Sequence, residues 1–189
     1  MPATVCCYVP PSQAKVEAVS ELTLRGLSRA RPQGKLCLET LHFPCALGCG
    51  GRHPKRREGD GITPVGRWAI REVLYRADRL RRPRTALAVR AIHPTDGWCD
   101  DPSDRNYNRL VKLPYKRSHE RLWRVDRLYD IVAVLGYNDR PRSLGRGSAI
   151  FIHIAGTDYA PTAGCIALSK PNLLQLLQRL EPGDRVWIP

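Results

Sequence analysis

Short stretches in which apolar and polar residues alternate dominate the chain. Leu22-Thr23-Leu24 and Leu36 to Phe43 follow the two-residue period of a half-buried strand, the second placing Leu36, Leu38 and Thr40 on one face. Together they predict a hairpin. Thr63-Pro64-Val65-Gly66 reads as a turn leading into a strand at Arg67-Trp68-Ala69-Ile70, and Arg185 to Ile188 alternates again. The unbroken apolar run Ile131 to Leu135 predicts a buried strand. Ser148 to Ile154 predicts another, with Ile150, Ile152 and Ile154 on one face and Phe151 and His153 on the other. Helical spacing is confined to two places. Ser169 caps a run through Arg179 whose Leu173, Leu176, Leu177 and Leu180 form a stripe, stopped by Pro182-Gly183; Ser118 to Tyr129 predicts a second short helix on Leu122, Val125, Leu128 and Tyr129.

The expectation is therefore a mainly β domain over residues 22–189 with one or two short helices, preceded by an extension over 1–21 that holds Pro10-Pro11. A length of 189 residues suits one such domain with its own core. No apolar run approaches the ~18 residues of a membrane span, and the first thirty residues show no secretory signal. Residues 94–114 are rich in turn formers, and a long loop of that kind is more often functional than inert.

Lys and Arg outnumber Asp and Glu by 31 to 18, a net charge of +13. An anionic partner and a solvated arginine surface both fit that excess. Nucleic acid is not expected: no recognised binding motif occurs, and acids interleave the bases, as in Arg76-Ala77-Asp78-Arg79. No cofactor is expected either. Gly59-Asp60-Gly61 lacks the Lys-Ser or Lys-Thr of a phosphate loop and reads as a hairpin turn, and Cys45 and Cys49, flanked by His42 and His53, lack the two-residue spacing of zinc sites. Metal ligands are accordingly not assigned.

Seven cysteines leave at least one thiol free in a monomer, and no disulfide is predicted. A cysteine nucleophile needs an imidazole, oxyanion donors and an exposing backbone. Strand-borne His153, the Pro161-Thr162-Ala163-Gly164 turn and Cys165 can supply them, with the N–H groups of Gly164 and Cys165 as donors. Spacing alone favours a core histidine and a buried, inert cysteine.

The segment HIAGTDYAPTAGCIAL, from His153 to Leu168, resembles the active-site segment of the L,D-transpeptidase catalytic domain, also called the YkuD domain. KRREGDGITPVGRW from Lys55 is similar to that family's glycine-rich segment with its TPxG turn, and DGWCDDP, YNRLVKLP, LYDIVAVLGYND and GRGSAIFIHIA resemble a divergent branch of it. The resemblance runs from about Leu36 to Pro189. It implies a β-sandwich in which Cys165 attacks a stem-peptide L,D-amide of peptidoglycan, His153 serves as base, and an amine of a second stem resolves the thioester. The histidine is then oriented by a backbone carbonyl, from Gly156 or a neighbour. Thr162 fills the motif's Ser/Thr place, whereas Ala163 and Ala167 stand where the commoner motif has histidine and arginine. The PTAGC branch implies crosslinks between L-Ala and meso-diaminopimelate (1,3 type) rather than 3,3 crosslinks.

Trp98, Asp100, Asp101, Tyr107, Asn108, His119 and Glu120 are the candidate substrate-facing residues, with His119 a possible second base; Asn138 and Arg146 join them by analogy. The resemblance implies a periplasmic or cell-envelope enzyme open to carbapenem-type inhibitors. No oligomeric state is predicted. An L,D-carboxypeptidase on the same scaffold and a non-enzymatic binder of anionic wall polymer are the competing readings.

Overall fold

The computed structural model describes residues 19–189 apart from Leu27, so Cys6, Cys7 and most of the expected extension lie outside the described residues. Strand β1 (Glu21–Arg25) pairs antiparallel with β2 (Gln33–Leu38), as predicted, but the expected Leu36–Phe43 strand is split, and β2 forms a second hairpin with β3 (Leu41–Ala46). Its two-residue turn is Glu39-Thr40, with Glu39 at φ +51. Thr40 therefore lies exposed in the turn rather than on the strand face with Leu36 and Leu38, because the chain reverses one residue too early.

After β4 (Arg52–His53) and β5 (Thr63–Pro64) comes β6 (Gly66–Tyr75), then β7 (Val89–Ala91), β8 (Asp96–Cys99), β9 (Arg109–Lys112), β10 (His119–Arg121), β11 (Ile131–Leu135), β12 (Phe151–Ile154), β13 (Ile166–Leu168) and β14 (Arg185–Ile188). The β4 and β5 pair is parallel, so the Asp60-Gly61 loop between them is a crossover held by side-chain bonds to Asp60, not a hairpin turn. At ten residues, β6 is long enough to pair with three strands. Its first part pairs with β14, and its remainder pairs with β11 on one edge and β7 on the other. The order β11-β12-β13-β3-β2-β1-β14-β6 thus returns to β11 and closes the sheet into a ring.

Alternation decides which side of this ring each residue faces. Leu22, Leu24, Leu36, Phe43, Ile131, Ala133, Ile152 and Ile166 fill one core, together with Leu173, Leu176 and Leu177 of helix α1 (Lys170–Leu177). Ser169 caps that helix, its hydroxyl accepting the Asn172 N–H at 3.3 Å. The opposite face carries Leu74, Val132, Val134, Phe151 and Cys165, covered by the small sheet β10-β8-β9 through Trp98 and by Leu122 and Tyr129.

The second predicted helix does not form. Within Ser118 to Tyr129 only β10 is regular. Leu122 and Tyr129 are buried but Val125 is 90% exposed, which no single helical stripe permits. Local bonds win instead: Arg124 clamps Asp126, Asp126 accepts the Leu128 N–H at 3.2 Å, and Arg76 donates to the Arg124 carbonyl at 2.6 Å. Among the described residues no helix is long and apolar enough to cross a membrane.

Candidate active site

Cys165 ends a tight turn packed backbone against backbone. Gly164 sits at φ +138, and a Cβ there would lie 2.8 Å from the Ile62 carbonyl. Beneath it, a Cβ on Gly48 would meet the Gly61 carbonyl at 2.1 Å, so the β3 end, the Ile62 segment and the turn pack with no room for side chains. Thr162 staples the turn from within. Its hydroxyl donates to the Cys165 carbonyl at 2.7 Å and accepts the Gly164 N–H at 3.1 Å. The Gly164 N–H, expected as an oxyanion donor, is thereby engaged with Thr162.

The parallel pairing of β12 with β13 sets His153 opposite Ala167, so Cys165, two residues earlier, reaches the same sheet face as Phe151 and His153. The thiol donates to the Ala149 carbonyl at 3.2 Å and accepts the Phe151 N–H at 3.4 Å. Ala149 has φ +52, an uncommon conformation for a residue with a Cβ, and Asn108 Oδ1 accepts its N–H at 3.1 Å. Asn108 is held in turn by the Trp98 indole N–H at 2.9 Å.

His153 Nδ1 lies 2.8 Å from the Ile154 carbonyl. A carbonyl only accepts, so Nδ1 carries the proton and Nε2 keeps its lone pair. The orienting carbonyl is thus that of Ile154 rather than Gly156. The Tyr129 ring packs against the imidazole at 5.2 Å between centroids, and the Tyr129 hydroxyl donates to Glu120 at 2.6 Å. Burial pushes the His153 pKa down to about 4 and the Cys165 thiol up to about 12. Near neutrality both the thiol and the imidazole are therefore uncharged.

Both residues line one cavity of about 500 Å³. Lys55, Glu58 and Ser148 line it, as do Asp100, Glu120 and Arg124, with Gly156, Thr162, Ala163 and Ala167 also in the wall. The Lys55 group is satisfied internally. Lys55 pairs with Asp60 at 2.5 Å, and Glu58 accepts the hydroxyls of Ser148 and Tyr107. Asp100 Oδ1, by contrast, is buried without a partner among the described residues, and burial raises the pKa of Glu120.

The family model of the L,D-transpeptidase catalytic domain (YkuD) matches residues 31–188. The chain belongs to this family. A solved L,D-transpeptidase from Mycobacterium smegmatis is similar at 14% identity with a TM-score of 0.38, over 90% of this chain and 59% of that one. This chain therefore spans less than two thirds of that structure. No curated protein matches.

In this L,D-transpeptidase domain the residues expected from the sequence fall into three groups. Cys165, His153, Thr162 and Glu120, with Asp100, line the cavity. Trp98, Tyr107 and Asn108, expected to face substrate, are buried and support the Gly147–Ala149 segment, since their polar atoms are consumed by Ala149, Gly147, Glu58 and the carbonyls of Tyr137 and Asn138. Asp101, His119, Asn138 and Arg146 do not line this cavity: Asp101 caps Ser103, His119 Nδ1 bonds the Arg117 carbonyl, Asn138 closes a loop onto Ser143, and exposed Arg146 borders a separate cavity. Sequence reasoning did not select Lys55, Glu58, Arg124, Tyr129 or Ala149. The KRREGDG stretch contained the first two, but nothing in it separates a wall residue from a solvated one.

Proposed function

We propose that the chain is a peptidoglycan L,D-transpeptidase of the cell envelope, with Cys165 as nucleophile and His153 as base. The observation that carries this reading is the shared cavity wall, which holds a thiol and an imidazole whose proton is fixed on Nδ1. As Sγ attacks the carbonyl carbon of the donor's L,D-amide, Nε2 takes the thiol proton and delivers it to the departing amine. A thioester remains. The Cys165 N–H at the stapled turn faces the developing oxyanion. An acceptor amine then attacks the thioester, loses a proton to Nε2, and the thiolate leaves and is reprotonated. Because both groups rest uncharged in a buried site, charge develops only during attack and no thiolate need be stored.

Ala163 and Ala167 line the wall where the commoner motif carries histidine and arginine, so the donor side meets methyl groups rather than cations. That favours an L-Ala donor, whose side chain needs no ionic partner, and hence 1,3 crosslinks. Asp100 and Glu120, on the wall of the same cavity, suit recruitment of the acceptor's diaminopimelate ammonium, which gives up a proton before its amine attacks the thioester.

Incubation with purified muropeptides, followed by intact-protein mass spectrometry and product chromatography, tests this reading. An acyl adduct on Cys165 and L-Ala-to-diaminopimelate dimers are expected, and a carbapenem should give the same site of modification. Adduct formation that survives loss of Cys165 sinks the mechanism; 3,3 dimers or trimmed stems overturn the donor assignment.

A further inference from the structure

An unbalanced cluster of positive charge lies away from the cavity at Cys165, at the loop end of the β1–β2 hairpin. Arg52 is 4% exposed, yet among the described residues no carboxylate pairs with it. Its Nη2 donates to the Ser28 carbonyl at 3.1 Å, while Nε is buried with no partner. A buried guanidinium without a counter-ion is costly, and proteins rarely leave one so. Burial, and then the charge of neighbouring Arg29, push its pKa below the usual arginine value.

Arg52 lines a cavity of about 430 Å³ whose rim carries exposed Arg25 and Arg29. A second cavity of about 440 Å³ shares Arg25 and Gly26 and adds Arg31 and Lys35. No Asp or Glu lines either one, and neither shares a residue with the cavity at Cys165. Clustered guanidiniums repel one another, and a single carboxylate would neutralise only one. A phosphate group supplies between one and two negative charges and several strong acceptor oxygens to planar donor forks.

We propose that this end of the barrel is a phosphate-binding site, with Arg52 at its floor, Arg25 and Arg29 at its rim, and Arg31 and Lys35 extending it along the groove. The site is independent of the transpeptidase reading, and its ligand is the phosphate of an anionic lipid headgroup or of a soluble polymer.

Calorimetric titration of the full chain with inorganic phosphate tests the site. Saturable binding is expected, weakened at least ~10-fold in the Arg25→Ser/Arg29→Ser variant. A control with the same charge loss elsewhere, Arg81→Ser/Arg82→Ser, should bind like the parent. Phosphate should also raise the Tm of the parent and leave that of Arg52→Met unmoved, a readout that needs only a folded protein. Phosphatidylglycerol vesicles in phosphatidylcholine, set against short polyphosphate, identify the source: vesicle binding lost in the rim variant assigns a lipid headgroup, and loss of polyphosphate binding alone assigns a soluble polymer. No saturation in the parent, or an equal loss in the control, overturns the proposal.

Discussion

Cys45 and Cys165 are alike in burial and unlike in everything else. Cys45 stands on β3 opposite Leu168, three residues along β13 from Cys165, and the two are 2% and 7% exposed. Burial pushes both thiols up to about 12. Yet Cys45 faces the interior of the ring among leucines, while Cys165 faces the other side, into a cavity with an imidazole. An acidic thiol is therefore not what separates the two. The proposed nucleophile differs by an imidazole in its cavity, an opening and a backbone turn.

The comparison breaks most sharply at the thiol. Cys165→Ala should remove roughly four or more orders of magnitude of transpeptidase turnover while leaving the circular-dichroism spectrum intact. Next in size, His153→Gln should lower the single-turnover acylation rate by about 10²–10⁴. The pH profile follows. His153 must be neutral to act, so turnover should hold from neutrality towards pH 5 and fall as pH drops through about 4. Stability moves with it. The folded imidazole resists the proton that the unfolded chain accepts near 6.5, so stability is full above that value and declines by about 3 kcal/mol as pH falls to about 4, visible in urea midpoints. Smaller still, Asp100→Asn should leave acylation intact but lower the ratio of aminolysis to hydrolysis by about tenfold in product chromatography. Smallest of all, Cys45→Ala should cost about 1 kcal/mol of stability and leave turnover within about twofold.

Much of this was legible where side chains repeat with a period. The alternation at Ile150 to Ile154 put His153 on the correct face, and Ser169 with its leucine stripe located α1. Cys165 and His153 were singled out as a pair only through resemblance, since spacing alone favoured a buried-core reading. What stayed hidden has no period. Trp98 and Asn108 look like ligand-binding residues in a polar loop, but their hydrogen bonds are spent bracing Ala149, the residue that holds the thiol. Val125 completes a helical pattern that Arg124 and Asp126 override by bonding locally. The wall residues Lys55 and Glu58 are set by tertiary partners, Asp60 and Ser148, and the latter lies 90 residues away in the chain.

The parallel pairing of β1 with β14 joins Glu21–Thr23 to Arg185–Trp187, and β14 is also the strand that connects β1 to β6. A nascent chain thus carries Cys165 before it can make the last seam of the ring. Assembly has to wait for its longest-range contact, which predicts slow folding on the millisecond-to-second scale of non-local β proteins. Until that seam forms the ring stays open between β1 and β6, so the wall that carries Cys165 and His153 is completed only with the last strand of the chain.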